Sequence, residues 1–180
     1  MDAANLMQIL TAMASPSAVT TLQFYGLVFL LGSFTVASLS DIKRMAAQKE
    51  FAEVWVAFAL LAFCYDFIRL GETEIVVFAA KWVMIMLFAV LSWKYFGMIL
   101  SLSEMDLAAA CAAMSLLNPM YIAAYYLLLV LFKIMLRPIL GRFGDGIGMP
   151  FLPVVLIATG IMLFAARASD IITLITGMKG

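Results

Sequence analysis

"SLSEMDLAAACAAMSLLNP", Ser101 to Pro119, decides how often this chain crosses a membrane. Its apolar part, Leu107 to Leu117, spans roughly 16 Å as a helix. A crossing helix needs about 20 apolar residues to cover about 30 Å of hydrocarbon. Extending the segment back to Met98 supplies that length, but then Glu104 and Asp106 lie inside the helix. Asn118-Pro119 separates it from the next apolar run, because the residue before a proline is pushed out of helical geometry. The expectation is a fourth span that holds Asp106 within the membrane boundary. The alternative is a re-entrant half-helix.

Working outward, Leu22–Leu39, Ala52–Leu70 and Ile75–Trp93 precede this segment, and Met120–Leu136 and Phe151–Ala166 follow it. Together they predict an all-α polytopic membrane protein of about six transmembrane helices. Of the 180 residues, 66% are hydrophobic and 12% charged, with a mean hydropathy of +1.11. Soluble domains carry about twice that charge. Residues 1–180 are read as one membrane domain, with an N-terminal segment 1–21, a six-span bundle 22–166 and a short C-terminal segment 167–180. Met1 to Ser17 carries Asp2 and no basic residue, so it is not read as a cleaved leader. Within it, Leu6, Met7, Ile9, Leu10 and Met13 suit a short interfacial helix and equally a loosely held terminus.

Composition excludes several chemistries. There is no histidine, which removes Ser-His triads, His-ligated zinc or haem, and imidazole relays. Cys64 and Cys111 sit apart in apolar runs and read as small packing residues. Net charge is zero, so no basic field recruits nucleic acid. No cofactor and no metal is expected. Acid–base chemistry falls to carboxylates, Lys, Tyr or water.

Lys and Arg concentrate in cytoplasmic loops of membrane proteins. A six-span chain puts Lys43, Arg44, Lys49, Lys94, Lys133, Arg137 and Arg142 on one side and Arg69, Lys81, Arg167 and Lys179 on the other. The first group marks the cytoplasm, so the termini are expected outside. Trp55, Trp93, Tyr95 and Tyr121 suit interfacial belts, as in any membrane protein.

"SLSDIKR", Ser38 to Arg44, ends the first apolar run on Asp41. In the six-span arrangement Asp41 and Asp106 share depth and side. Carboxylates at such depth are costly and normally face the bundle interior with a partner. Two that face each other share one proton and titrate as a pair. The ionised member takes a proton from water while the protonated member polarises a carbonyl. Each acid alone also has a structural reading: Asp41 as the end of a span before an "IKR" anchor, Asp106 as a helix cap.

"ASLSDIKR" resembles the motif around the first catalytic aspartate of type IV prepilin peptidases, in particular the short archaeal branch of preflagellin and prepilin peptidases. "SLSEMDLAAACAAMSLLNP" resembles their second motif, Gly-x-hydrophobic-Asp or Gly-x-Gly-Asp followed by a small-residue helix and a proline. "GMPFLPVVLIATG" is similar to the segment that opens their last span. The three occur in the family's order and cover most of the chain. The resemblance implies an intramembrane aspartyl endopeptidase that cleaves the basic leader from membrane-inserted pilin-like or archaellin-like precursors, with Asp41 and Asp106 as the catalytic pair. Ser103 stands where the family has glycine, and "MAAQKEF" replaces the usual sequence after the first motif. The Cys-x-x-Cys domain tied to N-methylation is absent, so methylation is not expected.

Glu50, Glu53, Glu104 and Asp145 fall on the same expected face and form a candidate acidic mouth for a basic leader, or ordinary solvated carboxylates. Glu104 lies two residues from Asp106, on another helix face. Lys94 and Lys133 are candidates to bias the aspartate pair. "GRFGDGIGMP", Gly141 to Pro150, lacks the lysine and the setting of a phosphate loop and reads as a hinge. The 14 methionines read as packing residues. Two rival functions remain. One is a non-catalytic membrane subunit packed through Ala108–Ala113. The other is an ion or proton carrier, for which the outer half offers only Asp66 and Lys81.

Overall fold

The computed structural model describes residues 21–44, 49–70, 74–94, 102–140 and 150–177. Six helices and no strand occur among them: α1 (Thr21–Arg44), α2 (Lys49–Ile68), α3 (Glu74–Lys94), α4 (Glu104–Met114), α5 (Pro119–Leu140) and α6 (Leu152–Gly177). Four segments are long and apolar enough to cross a membrane: Leu22–Ile42, Lys49–Ile68, Ile75–Ser92 and Pro119–Leu140. Leu152–Ala165 is a shorter apolar helix, continued by the rest of α6. The chain is therefore an all-helical, multi-pass membrane protein.

The fourth helix departs from the sequence expectation. It has 11 residues and cannot cross a bilayer. Glu104 and Asp106 lie in its first turn. The cause is local: Ser103 caps the helix, so the helix begins there. Ala109, Ala110, Ala112 and Ala113 are all fully buried. Their small side chains let α4 lie inside the bundle, in contact with α1, α2, α3 and α6. Two other boundaries move. Asp41 sits within the last turn of α1, which runs on to Arg44, and α6 runs to Gly177, beyond the expected end of the last span.

The core of α1 is a stripe, Leu27, Leu30, Phe34, Ala37 and Ser38, at helical spacing. The stripe packs on α6 and α4. Against α2, Trp55 meets Phe34 with ring centroids 5.2 Å apart and donates from Nε1 to Ser33 Oγ at 3.0 Å. Phe58 meets Phe29 at 6.0 Å. A later α2 residue thus meets an earlier α1 residue, so the two helices are antiparallel. Gly26 makes a close approach possible: an added Cβ would lie 3.0 Å from Leu116 and 3.1 Å from Phe58. Buried hydroxyls join α5 to α6, with Tyr125 and Thr159 3.0 Å apart. Large apolar side chains such as Leu60, Leu61, Leu127, Ile134 and Phe164 are exposed and would meet lipid.

These contacts sort the helix ends. One end of the bundle collects the C-termini of α1, α3 and α5 with the N-termini of α2, α4 and α6. The other collects the C-terminus of α2, the start of α3 and the α4–α5 turn.

Candidate functional site: two carboxylates at helix starts

Asp41 continues the buried stripe of α1 into its last turn and is half-buried. The backbone N–H groups of Leu152 and Phe151 donate to its carboxylate. The sequence of α6 explains why. A helix start leaves several N–H groups without partners inside the helix. Phe151 precedes α6 and accepts from Val154 N at 2.9 Å and Val155 N at 3.2 Å, but has no polar side chain to cap the free donors. Asp41 supplies that acceptor from another helix.

Asp106 is 7% exposed and lies in the first turn of α4. Its Oδ2 accepts from Ser103 N at 2.9 Å and from Ser103 Oγ at 2.8 Å. Ser103 Oγ in turn accepts from Asp106 N at 3.2 Å. This reciprocal arrangement is a capping box. Asp106 lies outside the four spanning segments. Burial pushes its carboxyl up to about 6, the Ser103 N–H and hydroxyl pull it down, the Asp41 charge adds to the rise and Lys133 opposes it. Asp106 therefore feels charges from two other helices, Asp41 on α1 and Lys133 on α5. The Lys133 ammonium lies 5.9 Å from the centre of the Phe151 ring, beside the backbone that donates to Asp41.

Both acids are thus held by neutral donors at the positive end of a helix. Such donors orient a carboxylate without transferring a proton to it. Two carboxylates within each other's field hold one proton more readily than none or two. The arrangement can take a proton from water at one acid and give a proton from the other.

Ser103 has φ −75° and ψ 163°, ordinary extended backbone. Nothing about that geometry requires glycine. Glu104 is exposed in the first turn of α4, apart from Asp106. Glu50 and Glu53 are exposed on the first turns of α2, at the same end of the bundle as Asp41. Asp145 and the interfacial segment before residue 21 lie outside the described residues. Sequence reasoning named Lys133 without a position for it, and missed the Phe151 and Leu152 donors. The signal was "MPFLP": a helix start with no polar cap and a proline in its first turn needs an acceptor from elsewhere.

Among the described residues no three Cys, Asp or Glu side chains gather as a metal site would require. A cavity of about 340 Å³ lies at the far end of the bundle, lined by residues including Gln23, Phe58, Tyr65, Asp66 and Leu116. It is separate from Asp41 and Asp106. No family model, curated protein or solved structure compared with this chain matches it.

Proposed function

We propose that the chain is an intramembrane aspartyl endopeptidase that removes a basic leader from prepilin-like or preflagellin-like precursors. One observation carries the reading. Asp41, Asp106 and the start of α6 come from three distant segments, the same three that resemble the peptidase motifs, and they interact at one end of the bundle. The Lys and Arg distribution assigns that end to the cytoplasm. The scissile bond then lies where a basic leader meets an apolar helix, and exposed Glu50, Glu53 and Glu104 attract the leader.

The chemistry consumes one water. Its oxygen attacks the scissile carbonyl carbon while the ionised aspartate takes its proton and the protonated aspartate gives one to the carbonyl oxygen. The tetrahedral adduct collapses, the C–N bond breaks and the leaving nitrogen receives a proton. The products are a carboxylic acid and an amine.

The test is cleavage of a basic-leader precursor in liposomes by the wild-type chain and by Asp41→Asn and Asp106→Asn at equal folded amounts. Loss of about 10³-fold or more in each variant is expected. Full activity in either variant sinks the proposal. A second reading has its own observation: the Ser103 capping box and the α6 donors give each carboxylate a structural task. On that reading the chain is a non-catalytic membrane subunit. It would co-purify obligately with other chains, and the Asn variants would leave the assembly's activity intact.

A further inference from the structure

In an apolar bundle a helical hydroxyl usually bonds back to its own helix. Ser33, Thr35, Ser115 and Thr159 do so, at 2.7–2.9 Å from a carbonyl three or four residues earlier. Ser38 does not. It is 3% exposed, and its Oγ has no hydrogen-bond partner among the described residues. An unpaired hydroxyl in such surroundings disfavours the free protein. Ser38 lies one turn before Asp41, about 4.5 Å deeper along α1, on the stripe that faces α4 and α6. Ser92 is a second buried hydroxyl without a partner among the described residues, on α3 toward the same end.

A carboxylate pair can reach a scissile carbonyl only if the precursor helix unwinds there. Unwinding frees backbone N–H and C=O groups that lipid cannot satisfy. We propose that Ser38 is a substrate-positioning residue: its hydroxyl donates to a backbone carbonyl of the unwound precursor, on the apolar side of the scissile bond. The inference rests on the peptidase reading and adds to it a defined depth and an extended backbone for the bound segment. Asp41 and Ser38, on one helix face, then grip the precursor on either side of the cut.

The test uses a synthetic peptide with a basic leader and an apolar helix, cleaved by the full chain in liposomes. Ser38→Ala is expected to lower kcat/KM about tenfold, mostly through KM. Its thermal midpoint in detergent stays equal to wild type or rises, because alanine removes an unpaired hydroxyl and favours helix. Ser38→Cys, a weaker donor of similar size, falls between the two in kcat/KM. Unchanged kinetics in Ser38→Ala, with Asp41→Asn inactive, overturn this inference alone. A lowered midpoint that accounts for the lost activity overturns it too, by making the role structural. A wild-type chain that cleaves no such peptide overturns both this inference and the peptidase reading.

Discussion

The bundle holds acids at both ends and treats them differently. At the far end Lys81, 5% exposed, places its ammonium 2.6 Å from Asp66 Oδ2. Trp82 Nε1 donates to the same oxygen at 3.3 Å, and the ammonium lies 5.6 Å from the centre of the Trp82 ring. Charge meets charge directly, and the pair ties α2 to α3 beside the rings of Phe63, Phe67 and Phe78. At the near end Asp41 and Asp106 receive N–H and O–H donors from helix starts, and the Lys133 charge also bears on Asp106. A direct ion pair consumes an acid's charge in holding helices together. Neutral donors hold an acid in place and leave its proton free to move. The first end is suited to a staple and the second to proton transfer.

Breaking the comparison begins with the largest expected effect. Asp106→Asn should cost about 10³-fold or more in cleavage. Its folding midpoint should change little, because an asparagine side-chain oxygen still accepts from Ser103. Lys81→Ala should do the reverse, destabilising the fold by about 3 kcal/mol in a detergent unfolding assay, because it leaves Asp66 without its cation inside the bundle. The double change Asp66→Leu with Lys81→Met should recover most of that loss. If Lys81→Ala is as stable as wild type, the staple assignment fails.

Ser103 gives a smaller and sharper test. Ser103→Ala removes a cap and should cost about 1 kcal/mol of stability. It also removes the hydroxyl that donates to Asp106 and holds its pKa down. The Asp106 pKa then rises above about 6, the pair keeps its proton to higher pH, and the alkaline limb of the cleavage profile moves upward. A limb that moves downward contradicts the assignment. Ser103→Gly loses the same hydroxyl and should move the limb the same way, but glycine is tolerated as an N-cap and should cost only a few tenths of a kcal/mol of stability, the smallest such effect of the series.

The helical membrane class was legible because the apolar runs are long and nearly uncharged. Asp41 and Asp106 stood out as candidates because each stands at the border of such a run. The true start of α4 was present in the sequence but unread. Ser103-Glu104-Met105-Asp106 fits the Ser-x-x-Asp signature of a helix N-terminus, which places the start of α4 at Glu104. The tie between Asp41 and the start of α6 depends on how α1 packs against α6, which no local pattern specifies. The same holds for Lys133, whose position follows from the packing of α5. Pairing of Asp66 with Lys81 was likewise hidden, since both could as easily have served a path through the outer half.

The central claim is that Asp41 and Asp106 act as one coupled unit. Carbon-13 NMR of the Asp106 carboxyl, titrated in the wild-type chain and in Asp41→Asn, tests it most directly. The account predicts a midpoint near 6 in the wild type and a lower one in the variant, because the Asp41 charge helps raise it. A midpoint that does not move when Asp41 loses its charge contradicts the account and leaves two separate helix caps.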